Sequence, residues 1–233
     1  MQATLTNRIL SRLPDAEFAR LKPLLRPVAL AAGERLSEAG EPPQFLYFPE
    51  DSVIAYLAEM QDGKSAEIGM VGREGVAGMT TVLDGHQAPH SLSVAIAGNA
   101  LKMRKDDFER EMLRGGDGIQ QSLLDYAASY VTQISQRSAC AVLHLLEQRL
   151  AVWLLLVADR LDTDVIHITQ ERIGQHLGVR RASINLVATA MQAAGAISYK
   201  RGTLHLKDRQ TLERMACECY ETLAVNHQSH SSQ

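Results

Sequence analysis

The sequence predicts an α+β protein with a jelly-roll-like β-roll, a long helix and a winged helix-turn-helix, in that order along the chain. Short β-rich runs separated by Gly, Pro and Asp turns fill residues 27–104. Apolar residues at helical spacing dominate residues 105–161. A helix–Gly–helix pattern and two short alternating strands follow over residues 165–208.

Composition and charge bound the class of protein. The 233 residues are 45% hydrophobic and 22% charged, which is typical of a globular chain with a buried core. The most apolar run, residues 150–157, is shorter than the roughly 20 residues that span a bilayer. The first residues lack the pattern of a secretory signal. We therefore expect a cytoplasmic protein with no membrane partner.

The pattern predicts four segments. Residues 1–26 carry helical spacing that is broken at Pro14, and they precede the short strands. We expect a β-roll sensor domain over 1–114, a dimerisation helix over 115–143, a winged helix-turn-helix over 144–222 and a flexible tail over 223–233.

The predicted long helix carries an apolar stripe at spacings of three and four. Such a stripe fits a helix that packs along its length. It could face a dimer mate or the chain's own core, and the sequence favours neither. The predicted interface consists of Ile119, Leu123, Tyr126, Tyr130 and Ile134.

Basic residues are concentrated near the C-terminal end. Residues 165–207 contain six Lys or Arg and one acidic residue, a net charge of +5, whereas the rest of the chain carries −8. A basic module on an acidic body is typical of a part that contacts phosphates. Double-stranded DNA is the predicted partner.

Residues 168–191 read as two helices around a glycine turn. Thr169 can cap the first helix, and Gly178 can adopt the positive φ that a tight turn needs. The second helix buries Ile184 and presents polar residues near its start, as a recognition helix does. Arg181 could pair with guanine and Asn185 with adenine.

A β-hairpin around Arg201-Gly202 is predicted next and would form a wing whose basic residues approach phosphates. The residues predicted to contact DNA are Thr169, Gln170, Arg180, Arg181, Ser183, Asn185, Lys200 and Arg201.

This order of parts resembles the Crp/Fnr family of bacterial transcription regulators over nearly the whole chain. The family-like stretches include Ala32-Gly33-Glu34, Leu46-Tyr47-Phe48, Glu147-Gln148-Arg149-Leu150-Ala151, Ala216-Cys217-Glu218-Cys219-Tyr220 and the helix-turn-helix. The resemblance implies a homodimer paired along the long helix on a two-fold-symmetric operator, with RNA polymerase as a further partner.

The recognition helix departs from the family pattern Ser-Arg-Glu-x-Val-x-Arg. Arg181 is retained, whereas Ala182 stands for the Glu and Leu186 for the second Arg. Because Glu accepts from cytosine and Arg donates to guanine, the operator should differ from the usual one. Arg180 replaces the Ser that would cap this helix, so the helix start loses a side-chain acceptor.

The resemblance also locates an effector pocket. Cyclic-nucleotide-binding members use a Gly-Glu pair and an Arg-Ser/Thr-Ala run, and the matching residues here are Gly78, Met79, Thr80, His90 and Ser91. Met replaces the Glu and His the Arg, so cyclic AMP is not expected. The N-terminal iron–sulfur chemistry of the family's oxygen sensors is excluded, because no Cys precedes Cys140. Haem is the cofactor that the sequence does not exclude, and its candidate ligands are His86, His90 and Met79.

Three cysteines occur, of which Cys217 and Cys219 form a C-x-C pair. Because no second pair accompanies them, we expect reduced thiols, no metal site and no cofactor. Neither clustered His and carboxylate ligands nor a Ser-His-Asp pattern indicates an enzyme. The remaining alternative is a ligand-sensing or adaptor module without direct DNA readout, which the basic module argues against.

Overall fold

The computed structural model describes residues 5–79, 88–115 and 117–228, with side chains described as far as residue 224. The chain forms two compact units, and their boundaries fall inside the predicted β-roll domain and inside the predicted dimerisation helix. The first unit comprises Met1–Tyr56 and Met70–Ala128, and the second comprises Leu57–Gly69 and Ser129–Gln233. The hairpin within residues 57–69 thus groups with the C-terminal part of the chain.

Short helices and strands open the chain. Helices α1 (Arg8–Ser11) and α2 (Asp15–Leu21) flank the predicted break at Pro14, and a 3₁₀ turn (Lys22–Leu24) follows. The strands are β1 (Arg26–Leu30), β2 (Arg35–Ser37), β3 (Phe45–Pro49), β4 (Val53–Glu59), β5 (Ser65–Val71), β6 (Ser91–Ile96) and β7 (Gly98–Arg104).

Two sheets form the predicted β-roll. One has the order β1-β7-β3, with both pairings antiparallel, and the other has the order β2-β6-β4-β5. Strand β6 is buried along its whole length, and Phe48 lies with its ring 6.3 Å from that of Phe108. Non-sequential neighbours in both sheets are typical of roll and jelly-roll topologies.

The helices of the middle and C-terminal part are α3 (Lys105–Leu113), α4 (Asp117–Leu143), α5 (Leu146–Leu161), α6 (Gln170–Leu177), α7 (Arg181–Ala193), α8 (Arg209–Met215) and α9 (Cys219–Gln228). The long helix α4 confirms the predicted element. Helix α5 is central to the second unit, because every residue from Leu150 to Ala158 is buried. Among the described residues, no helix is both long and apolar enough to cross a bilayer.

The last strands are β8 (Val165–His167), β9 (Ile197–Lys200) and β10 (Thr203–Leu206), in a sheet of order β8-β10-β9. The prediction of a flexible tail from residue 223 is wrong at its start. Helix α9 continues to Gln228, and Leu223 is buried within the second unit. Buried apolar contact holds this segment in place, and residues 229–233 lie outside the described part.

Candidate nucleic-acid interface

Helices α6 and α7 form the predicted helix-turn-helix. The Thr169 hydroxyl caps α6 by accepting a hydrogen bond from the Arg172 amide at 3.3 Å. Gly178 ends α6 with a φ of +68°, the left-handed conformation that glycine adopts without a Cβ penalty. The cap and the turn therefore lie where the sequence predicted them.

The turn brings the backbone close to α6 at Gly174. A Cβ at this position would lie 2.7 Å from the carbonyl oxygen of Val179, so only glycine fits without a shift. The inner face is apolar and buried, with Ile173 on α6 and Ile184 and Met191 on α7. This packing fixes how α7 presents its outer face.

The outer face of α7 begins with two arginines. Arg180 is the N-cap residue and makes no side-chain cap bond, as predicted from the loss of a Ser. Arg180, Arg181 and Asn185 are exposed, whereas Ser183 is half-buried. Leu186 is also exposed, with 74% of its surface accessible, so an apolar side chain stands on this face beside the polar ones.

One contact joins the two helices on this face. The Gln170 side-chain amide donates to Asn185 Oδ1 at 3.2 Å, and both residues were predicted to contact DNA. The bond orients the Asn185 amide, whose nitrogen still carries donors for a base edge. The structure therefore brings Gln170, at the start of α6, next to the recognition helix.

The wing is the β9–β10 hairpin, whose two-residue turn is Arg201-Gly202. Both turn residues have positive φ, +51° and +80°, as a type I′ turn requires. Lys200 and Arg201 are exposed at the tip. The predicted hairpin is confirmed, and it holds two cations exposed at its tip.

Tyr199 anchors the wing to the helix-turn-helix. Its hydroxyl donates to the Ile168 carbonyl at 2.9 Å, and its amide donates to Gln192 Oε1 at 2.9 Å. Burial raises the pKa of the Tyr199 hydroxyl, while the Arg181 guanidinium acts in the opposite direction. The hydroxyl therefore keeps the proton that it donates. Sequence reasoning missed this residue because a half-buried Tyr in a short strand carries no signal of its own.

A buried polar cluster centres on Glu67 and includes His176 of α6. Glu67 Oε1 lies 2.7 Å from Arg137 Nη2, and Oε2 lies 2.8 Å from His176 Nδ1. The Trp153 indole donates to Oε2 at 3.4 Å and stacks on the His176 ring with centroids 5.5 Å apart. Burial raises the pKa of Glu67, but Arg137 and His176 outweigh it and the pKa is lowered overall. The sequence did not predict this cluster, because its members come from four separate segments.

The predicted effector residues within the described part differ in burial and in their hydrogen-bond partners. Met79 is buried and Gly78 donates its amide to the Tyr56 hydroxyl at 2.8 Å. Ser91 is buried and accepts from Arg35 Nη1 at 2.7 Å, and His90 is half-buried. Thr80 and His86 lie outside the described residues.

A cavity of about 460 Å³ lies in the first unit. Of the predicted effector residues within the described part, Met79 alone lines it. Its lining is mainly apolar and comes from α3 and the start of α4. The other lining residues are Glu109, Met112, Leu113, Gln120, Leu123 and Leu124.

The predicted dimer stripe requires a correction. Ile119, Leu123, Tyr126 and Tyr130 are buried within the single chain. A Cβ on Gly75 would meet the Tyr126 ring, and one on Gly69 would meet the Tyr130 ring, so both glycines make room for the tyrosines. Ile134 is half-buried. The stripe is therefore the inner face of α4, the alternative that the sequence left open, because apolar spacing alone does not say which surface covers it.

Two family models match the chain. The cyclic nucleotide-binding domain matches residues 27–114, and the Crp-like helix-turn-helix domain matches residues 148–215. A curated relative from Mycobacterium tuberculosis, the CRP-like cAMP-activated global transcriptional regulator, is 23% identical over 215 residues, covering 89% of this chain and 96% of the relative.

Solved structures share the fold. FixK2 from Bradyrhizobium japonicum has a TM-score of 0.70 at 14% identity, covering 83% of this chain and 98% of that one. The c-di-GMP responsive global regulator CLP from Xanthomonas campestris has a TM-score of 0.68 at 11% identity, covering 84% of this chain and 100% of that one.

A capped helix pair with an exposed polar face, beside a wing tipped by cations, defines a DNA-binding transcription regulator. The β-roll that precedes the helix-turn-helix narrows this class to regulators that also carry a cyclic nucleotide-binding domain. The chain belongs to the Crp/Fnr family of transcription regulators.

Proposed function

We propose that the protein is a homodimer that binds a palindromic operator in the cytoplasm, answers to a signal at its N-terminal domain and contacts RNA polymerase. It acts by binding and carries out no catalysis. The observation that carries the proposal is the exposed start of α7, where Arg181 and Asn185 face away from the core. These are the side chains that read guanine and adenine in bidentate fashion.

Leu186 adds a third reading position. Its exposed side chain stands where many family members carry an arginine, and an apolar group in the major groove contacts the methyl group of thymine. The operator should therefore contain a thymine where relatives with arginine select guanine. The remaining predicted contacts position the protein on the phosphate backbone and carry no base information. They are Thr169, Gln170, Arg180, Ser183, Lys200 and Arg201.

The exposed face of α4 supports the dimer. Leu124 and Val131 are more than 60% exposed and seven residues apart, and Val142 follows eleven residues later. The first interval is the heptad spacing of a helix that pairs with a second helix, and eleven residues make about three helical turns, which keeps Val142 on the same face. A second copy of the chain is the occupant we propose, because an operator with two-fold symmetry needs two recognition helices.

The signal is not cyclic AMP in this proposal, although one curated relative is named for that activation. Met79 stands at the Glu position and is buried, and the cavity that it lines is mainly apolar. A cyclic nucleotide needs fixed donors and a cation for its phosphate. No cofactor is part of the proposed function.

The test is selection of binding sites from a random duplex library by the purified full-length protein without added ligand. Enrichment of a palindrome is expected, with guanine, adenine and thymine at positions that change with Arg181→Ala, Asn185→Ala and Leu186→Ala respectively. Gln175→Ala, an exposed change on α6, is the control and should leave the selected bases unchanged. If no duplex is retained at low salt, where phosphate contacts are strongest, the adaptor alternative replaces DNA binding.

A further inference from the structure

Three thiols and an imidazole converge inside the second unit, where the end of α4 meets the segment between α8 and α9. Their ligand atoms all lie within 4.8 Å of one another. We propose that this group, called the Cys₃His cluster below, binds one Zn²⁺ ion. The cluster consists of Cys140, His144, Cys217 and Cys219.

Two short spacings create the cluster. Cys140 and His144 are four residues apart, and the His144 amide donates to the Cys140 carbonyl at 3.2 Å, so one helical turn places both side chains on the same face. Cys217 and Cys219 flank Glu218, where the chain extends after α8 and enters α9. Only the second pair stands out in the sequence, and folding across 77 residues brings the first pair against it.

The distances suit a single tetrahedral ion. A Zn–S bond of about 2.3 Å places two sulfur ligands of a tetrahedron roughly 3.8 Å apart. Cys140 Sγ lies 3.6 Å from Cys217 Sγ, and Cys219 Sγ lies 3.6 Å from His144 Nδ1. All three cysteines are free.

Polar side chains next to the proposed ligands hold them in place by hydrogen bonds, as they do around metals bound to proteins. His144 Nε2 lies 3.3 Å from Glu218 Oε1, so Nε2 carries the proton and leaves Nδ1 free to coordinate. The Gln136 side-chain amide donates to Cys219 Sγ at 3.1 Å, a bond that stabilises a thiolate. A packing role for three buried thiols would require neither contact.

The donor set and its burial indicate a structural zinc site. Three sulfurs and one imidazole complete a tetrahedron and leave no open position for water. Cys140, Cys217 and Cys219 are at most 6% exposed, and the His144 side chain is 16% exposed. Binding would release the three thiol protons to solvent and would join α9 to the end of α4. This site does not depend on the proposed DNA recognition.

The first experiment uses the wild-type full-length protein, reduced and freed of metal with a chelator. Co²⁺ is added as a spectroscopic stand-in for Zn²⁺, because a tetrahedral thiolate site gives it strong visible d–d bands and a thiolate charge-transfer band. We expect both bands to saturate at about one Co²⁺ per chain and to disappear when Zn²⁺ is added. A folded wild-type chain without these bands would overturn the proposal.

The second experiment assigns the ligands. Elemental analysis of protein purified under reducing conditions should find about one zinc per chain in the wild type, and less than about a tenth in Cys140→Ser and in Cys219→Ser. His205→Ala removes an exposed histidine from the same unit and should keep its zinc. Equal zinc in all four proteins, iron or copper in its place, or a Cys140–Cys217 disulfide in the purified protein would contradict the assignment. If the Ser variants do not fold, the cobalt spectrum of the wild type decides.

Discussion

Glu67 Oε2 lies 2.8 Å from Nδ1 of His176, in the interior of the second unit. The contact joins strand β5 to the first helix of the helix-turn-helix, and Arg137 of the long helix completes the cluster from the other carboxylate oxygen. The Glu67 side chain is inaccessible to solvent. A charge in such a place is stable only while its partners remain, because desolvation is otherwise uncompensated.

We predict that Glu67→Ala lowers the free energy of unfolding of the second unit by about 3 kcal/mol, the usual cost of breaking a buried ion pair from one side. Denaturant unfolding at neutral pH, followed by the fluorescence of Trp153, measures it directly, since Trp153 is the single tryptophan and contacts Glu67. Glu59→Ala, an exposed carboxylate on the same hairpin, should change it by less than about 0.5 kcal/mol. A small effect of Glu67→Ala would mean that the cluster does not stabilise the unit.

The pH dependence of stability should report the same carboxylate. Because the pKa of Glu67 is lowered in the folded state, its contribution is complete above the ordinary carboxyl pKa of about 4.5 and is lost as the pH falls through the folded value. Unfolding free energies of the wild type and Glu67→Gln should therefore differ most near neutral pH and converge in acid. A difference that stays constant down to about pH 3 would contradict the lowered pKa.

Truncation of Arg181 and truncation of Lys200 should affect DNA binding in different ways. Arg181→Ala should weaken the free energy of binding to the selected operator by about 1–3 kcal/mol and change binding to random duplex little, because it removes a base contact. Lys200→Ala should weaken binding to both duplexes by the same factor. It should also reduce the slope of log affinity against log salt concentration by about one. Fluorescence anisotropy at several salt concentrations separates the two, and equal losses on both duplexes for Arg181→Ala would disprove base reading.

Gly174→Ala should destabilise the helix-turn-helix, since its Cβ would stand 2.7 Å from the Val179 carbonyl oxygen and the turn would have to move. We expect the free energy of unfolding to fall by about 1–3 kcal/mol, as for other overpacked sites. The midpoint temperature of thermal unfolding and the operator affinity should both fall, whereas the neighbouring exposed change Gln175→Ala should alter neither. Full operator affinity in a stable Gly174→Ala protein would show that the close approach is dispensable.

Val131→Asp should shift the protein towards a monomer, because it places a charge on the exposed heptad-spaced face of α4. Sedimentation velocity gives the oligomeric state, and operator affinity should fall with it while the circular dichroism stays unchanged. Asp125→Lys, an exposed change outside the heptad spacing, is the control. An unchanged dimer in Val131→Asp would mean that the two chains pair elsewhere.

Local patterns sufficed where the structure is local. The cap at Thr169, the turn at Gly178 and the hairpin at Arg201-Gly202 each depend on residues within a few positions, so the sequence predicted them. The β-roll followed in the same way from regular turn signals. The exposed start of α7 was predictable because a helix with one buried face must present the other.

The sequence did not determine which surface packs against each apolar helix face. The stripe through Tyr126 and Tyr130 has the spacing of a dimer seam, yet it packs on the chain's own glycines, and only tertiary structure decides between equal apolar faces. The Glu67–His176 contact and the Cys140–Cys217 approach join segments more than 70 residues apart. The sequence by itself determined the elements and the class of protein, because propensity and periodicity act over short distances. The packing of those elements decided which polar side chains meet, because long-range proximity leaves no trace in a single sequence.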